Sequence, residues 1–187
     1  MSHLDLVLSK GIKTGDWSGI MLLGNTDDAL FALNVAHDRI PPEQLYEITL
    51  DVYTNSRIPF TGCKKRIIEL RKVRPADYLK ELPEELEHID PLTVYRATPS
   101  SIDQKIGTEL SWTTSKDVAV WFYQRLLGDK HLYKATIFKD KIIAYTNCRN
   151  EFEVLQHRGV KNIEEVSVSQ EDIDHAIAVH KIGGDFD

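Results

Sequence analysis

Cysteine is nearly absent from this chain. Cys63 and Cys148 are the only two in 187 residues, far apart and without a C-x-x-C or histidine-rich neighbourhood, which excludes a disulfide framework or a zinc site as the basis of the fold. Basic charge is not in excess either: 23 Lys and Arg against 29 Asp and Glu leave a net charge of -6, so no global field exists for gripping nucleic acid. Long apolar runs are also missing. The N-terminal stretch MSHLDLVLSKGIKTGDW is broken by Asp5 and Lys10, too short and interrupted for a signal-peptide core or a membrane span. The expectation is a cytoplasmic chain with free thiols and no membrane partner. Neither G-x-G-x-x-G nor G-x-x-x-x-G-K-[ST] occurs, which removes sequence support for a Rossmann or P-loop nucleotide site.

What is present is an apolar fraction of 42%, enough for one sizeable core or a core with a small helical appendage. The pattern changes near Pro91. Before it, TDDALFALNVAHDRI opens with Thr26 as a cap and carries Leu30, Leu33 and Ala36 at helical spacing, while PPEQLYEITLDVYTN places Pro42 in a first turn ahead of Leu45, Ile48 and Val52. GCKKRIIELRKV and PADYLKELPEELEHI, the latter interrupted by Pro83, complete an expected three to five short helices over about 20–90. After Pro91 the runs 92–98, 132–138, 141–147, 151–157 and 164–169 are short, rich in β-formers and separated by turn residues. One helix is expected among them, in TTSKDVAVWFYQRLL, with Thr114 and Asp117 as a capping pair and Val118, Ala119, Phe122 and Leu126 on one side. The connections are too short for parallel crossovers, so the class is α+β on a mostly antiparallel sheet. The expected organisation is one unit made of a helical segment 1–90 and a mainly β core 91–187.

Three elements of the second part could carry chemistry. CRNEFEVLQ puts Glu151 and Glu153 one residue apart, and strand alternation would bring both, with Leu155, to one face and send Phe152 and Val154 to the core. Taken alone, that pair reads as a solvated strand face. LTVYRATP places Arg96 in an otherwise half-buried strand, where its planar fork suits a phosphate or a structural ion pair equally well. ELSWTTSKD alternates Ser111 and Thr113 onto one face ahead of the helix, where hydroxyls can orient a carboxylate or simply cap.

Arginine on a first strand, Ser-x-Thr before a helix and Glu-x-Glu-Val-Leu on a later strand, in that order over about 91–170, resembles the mono-ADP-ribosyltransferase family of the arginine-serine-glutamate class, which contains cholera-like and binary actin-modifying toxins. The resemblance implies a split antiparallel sheet as the catalytic core and NAD as substrate, with no metal. It implies that Arg96 binds the NAD phosphates, that Ser111, Trp112 and Thr113 stand on the second motif, and that Glu153 is the invariant glutamate, hydrogen-bonded to the ribose 2′-hydroxyl. Trp112 replaces the family's central Thr, and Thr113-Thr114-Ser115 offers a competing alignment, so the hydroxyl that orients Glu153 is open among Ser111, Thr113, Thr114 and Ser115. Of the aromatic residues Tyr95, Trp112, Phe122 and Tyr123, Trp112 is the one expected to contact a ring of NAD.

The chemistry explains the combination. Breaking the nicotinamide–ribose bond generates an oxocarbenium-like centre that a fixed carboxylate stabilises. Glu151, two residues earlier, would take a proton from the acceptor or hydrogen-bond to it. Its Glu-x-Glu form implies protein arginine, with RNA or DNA as the other macromolecular acceptors, since the basic run Cys63–Arg74 could contact phosphate; a solvated basic helix face explains that run more simply. Water as acceptor, giving an NAD glycohydrolase, uses the same site. A non-catalytic protein-binding α+β module is the reading from another class. A toxin, a phage or defence modifier and a housekeeping regulator would all fit the sequence, and an inhibitory partner is not legible in it.

Overall fold

A capping box begins the chain: Ser2 Oγ accepts from the Asp5 amide at 3.1 Å, and Asp5 Oδ2 accepts from the Ser2 amide at 2.9 Å, which fixes α1, His3–Thr14, against fraying. This helix precedes the region where helices were expected. The computed structural model describes residues 1–55, 64–99 and 106–182. It divides into two compact units, Met1–Ala76 and Asp77–Asp187.

In the first unit α1 ends on Gly15 at φ 73, a conformation glycine adopts without strain. After a 3-10 turn at Ser18–Leu22 comes α2, Thr26–Ala36, whose cap is Asn25, not Thr26: the Asn25 side chain accepts from the Asp27 amide at 3.0 Å. Helix α3, Pro42–Thr54, has the expected proline in its first turn and buries Leu45, Ile48 and Val52. Helix α4, Lys64–Glu69, continues as a 3-10 turn through Lys72; Gly62 and Cys63 lie outside the described residues. Lys65 and Arg66 pair with Glu69 at 3.8 and 3.1 Å, so part of the basic run is neutralised within its own helix. Trp17, Ile20, Ala32, Leu33 and Ile67 are buried here. Gly11 is obligatory in this packing, because a Cβ there would lie 2.2 Å from the Trp17 ring.

The second unit starts well before Pro91, and its packing gives the reason. Tyr78, Leu79, Leu82 and Leu86 pack on the sheet core, Tyr78 Oη donates to the Lys139 carbonyl at 2.8 Å, and Lys139 Nζ donates to the Leu86 carbonyl at 2.8 Å. The expected helix there contracts to turns and the single-turn α5, Glu84–Glu87, beside Pro83. Then follow β1 (Leu92–Thr98), β2 (Ser111–Thr113), α6 (Lys116–Arg125), β3 (His131–Ile137), β4 (Ile142–Thr146), β5 (Glu153–Gln156), β6 (Val160–Val166) and α7 (Gln170–Ile182). Strand β6 starts earlier than expected, and α7 was not expected. Helix α6 is capped by Ser115, whose Oγ accepts from the Val118 amide at 3.3 Å, in place of the expected Thr114.

The protein is therefore α+β, with seven α-helices among the described residues and a six-stranded sheet of order β4-β5-β2-β1-β3-β6. Every pairing is antiparallel. A split sheet was expected; the observed sheet is continuous, but β1 and β2 share one register pair, Tyr95 with Thr113, whereas β1 and β3 pair along their whole length. One face buries Leu92, Val94, Trp112, Tyr133, Ile137 and Val154. On the other, Tyr95, Ala97 and Leu132 pack with Ala119, Val120 and Ala176 of α6 and α7. No helix among the described residues is long and apolar enough to cross a membrane.

Candidate functional site

Register decides which side chains meet. Glu153 stands opposite Thr113 on β2 and Thr146 on β4, and Thr113 stands opposite Tyr95 on β1. Paired antiparallel residues project to the same side, so Thr146, Glu153, Thr113 and Tyr95 form one row across four strands. A cavity of about 210 Å³ opens over this row, lined by Tyr95, Arg96, Ala97, Ser111, Trp112, Thr113, Ala119, Phe122, Leu126, Glu151 and Glu153. Residues from three separate sequence motifs thus converge. Glu153 is only 5% exposed, an expensive place for a carboxylate unless the site uses it.

Glu151 reaches the same cavity by a different route from the one alternation predicted. Strand β5 begins only at Glu153, and between the two glutamates Phe152 adopts φ 49, a left-handed conformation rare for a bulky side chain. The turn is held on both sides: the Phe152 amide donates to Asn147 Oδ1 at 3.2 Å, and its carbonyl accepts from the Thr114 amide at 3.0 Å. Thr113 Oγ1 donates to the Glu151 carbonyl at 2.7 Å and accepts from the Ser115 amide at 3.1 Å. Its hydroxyl therefore positions the Glu151 peptide and the entry to α6 together. Phe152 still packs against the core as expected.

Burial raises the Glu151 carboxyl above its ordinary value, the nearby Glu153 charge adds to this, and Arg149 works in the opposite sense. Arg149 Nη2 lies 3.1 Å from Glu151 Oε2. A carboxylate raised in this way is a better proton acceptor once ionised. Arg149→Ala removes the lowering influence, so the Glu151 pKa rises further and its basic form appears only at higher pH. If Glu151 acts as base, the rising limb of the pH–rate profile should shift to higher pH in that variant, which a profile of wild type against Arg149→Ala measures directly.

Arg96 lies beside the seam between β1 and β2. Its Nη1 donates to the Ser111 carbonyl, and its Nη2 lies 3.2 Å from Glu109 Oε2. Ser111 lines the cavity, but its register partner is Leu155; it is the diagonal neighbour of Glu153, and Thr113 is the direct one. Trp112 is 1% exposed and its indole packs in the core with Val94 and Val154, because it alternates away from Ser111 and Thr113, yet it is also among the residues that line the cavity. Phe122, 37% exposed, stands on the cavity wall.

Sequence reasoning gave no role to Gln156, which is fully buried. Its Nε2 donates to the Glu109 carbonyl and, at 3.4 Å, to that of Gly107, and its Oε1 accepts from the Gly159 amide at 2.8 Å. Gly159 cannot carry a side chain there, since a Cβ would lie 2.9 Å from that of Lys141. Partners 47 and 49 residues away leave no local signal. Arg149 was passed over as well, although its guanidinium stands two residues from Glu151 in the sequence. No group of His, Cys, Asp and Glu able to hold a metal occurs among the described residues. Comparison with protein-family models, with curated proteins and with solved structures gave no match to this chain.

Proposed function

We propose that the protein transfers ADP-ribose from NAD to a macromolecular acceptor, with protein arginine as the favoured acceptor. The observation that carries this reading is the buried carboxylate of Glu153 in a cavity shared with Glu151, Ser111, Thr113 and Arg96. A reaction that develops positive charge on a sugar carbon uses such a charge.

In this scheme the bond between ribose C1′ and the nicotinamide nitrogen breaks, and its electron pair leaves with nicotinamide, neutralising the pyridinium. Glu153 stabilises the ribosyl cation, and the acceptor nitrogen attacks C1′ while Glu151 takes its proton. The cavity, about 210 Å³, lies below the ~300 Å³ at which drug-sized pockets begin. It suits the nicotinamide riboside end of NAD, with Tyr95 and Phe122 as apolar walls, and leaves the phosphates outside it, toward the guanidinium of Arg96. Thr113 acts as a positioning residue through the Glu151 carbonyl.

Incubation of the protein with NAD should release nicotinamide, and with a cell lysate and NAD labelled in the adenylate should place label in protein. Label in RNA or DNA would change the acceptor, and free ADP-ribose alone would make water the acceptor. Absence of nicotinamide release in every case rejects the reading.

A further inference from the structure

We propose that Glu109 is a built-in competitor for the anion subsite of Arg96, displaced when the phosphates of a dinucleotide bind; this rests on the reading of the cavity given above. Two contacts of the Arg96 fork are of different kinds. One is the main-chain carbonyl of Ser111, fixed in β2; the other is the Glu109 carboxylate, 3.2 Å from Nη2 and carried on a side chain 40% exposed. A guanidinium binds carboxylate and phosphate oxygens through the same planar donors. Glu109 therefore stands where a phosphate oxygen would be received, while the Ser111 contact keeps the guanidinium aimed.

Position supports the exchange. Arg96 is the one Lys or Arg among the described residues lining the cavity, and Glu109 is not part of that lining. In that reading the cavity takes one end of NAD and its phosphates lie beyond the lining, and Glu109 meets Arg96 from outside that lining. Departure of the Glu109 side chain leaves its loop intact, because the main chain there is tied to β5: Gln156 donates from Nε2 to the Glu109 carbonyl and from its amide to that of Leu110, the latter at 2.8 Å. The pair gives selectivity. A lone phosphate must displace Glu109 with few other contacts, whereas a dinucleotide also fills the cavity.

The test compares wild type with Glu109→Gln and Glu109→Ala. The first probe is ADP-ribose binding by calorimetry, which needs no turnover; the second is NAD turnover. Removing the competing carboxylate should tighten ADP-ribose binding about threefold to fivefold, the scale of one partly exposed ion pair. Inorganic pyrophosphate should gain by at least as much, and with NAD the change should fall in KM more than in kcat. Equal or weaker ADP-ribose binding in both folded variants, or no binding to any of the three proteins, overturns the proposal. If ADP-ribose binding tightens as expected but no nicotinamide is ever released, the subsite stands and the transferase reading fails.

Discussion

Glu153→Gln should lower nicotinamide release by at least about 100-fold, the scale of losing one preorganised electrostatic contact to a transition state, without destabilising the protein. The substitution keeps shape and hydrogen-bonding capacity but removes the charge from a site 5% exposed between Thr113 and Thr146. Replacing a residue held for activity commonly leaves a fold as stable as before or more so. The expected pair of results is a lost rate and an equal or higher Tm. The combination separates catalysis from folding, since a structural carboxylate would lose stability first. Full nicotinamide release in Glu153→Gln would take Glu153 out of the chemistry, whereas no release from the wild type would remove the transferase and the glycohydrolase readings together and leave a binding module.

Gln156→Leu should be the most damaging substitution to stability at the edge of the site. The side chain is fully buried, and its loss strips partners from the Glu109 and Gly107 carbonyls and the Gly159 amide. Buried groups left unsatisfied cost about 1–3 kcal/mol each; with the 3.4 Å contact counted as weak, the sum is about 3 kcal/mol. For a chain of this size that corresponds to a fall in Tm on the order of 10 °C. Thermal melting tests it, and a Tm within a degree or two of wild type would show that the loop and β6 do not depend on this amide. The loop it ties carries Glu109, so the same variant should also blur the distinction between phosphate and dinucleotide binding.

The sequence pattern located the strands well because β-formers and turn residues act locally, and it placed α3 through Pro42. It missed α1, although Ser2 and Asp5 form a readable capping box, because Asp5 and Lys10 interrupt the apolar run. Helix α7 was missed for a related reason: Gln170, Glu171, Asp172, Asp174 and His175 leave a thin apolar stripe around Ile173 and Ala176. At the site, Arg96, Ser111, Thr113, Glu151 and Glu153 were all named, and all line one cavity. Their mutual arrangement was not legible. That Thr113, and not Ser111, faces Glu153 depends on the register of β2 against β5, a choice made across about 40 residues of chain. The Phe152 conformation that brings Glu151 out of the strand depends on Asn147 and Thr114, which no periodicity reveals. Alternation, applied to the hydroxyls on either side of Trp112, sends its indole toward the core, where it packs.

The single rung between β1 and β2 divides the sheet into two trios of strands. Glu153 rides on β4, β5 and β2, Arg96 on β1, β3 and β6, and each trio has its own ladder. Between β1 and β2 the described residues show the Tyr95–Thr113 pairing and the grip of Arg96 on the Ser111 carbonyl, while the core on one face spans both trios through Val94, Trp112, Tyr133 and Val154. A ligand reaching from Glu153 to Arg96 would therefore bridge the sheet at the place where neighbouring strands share a single register pair.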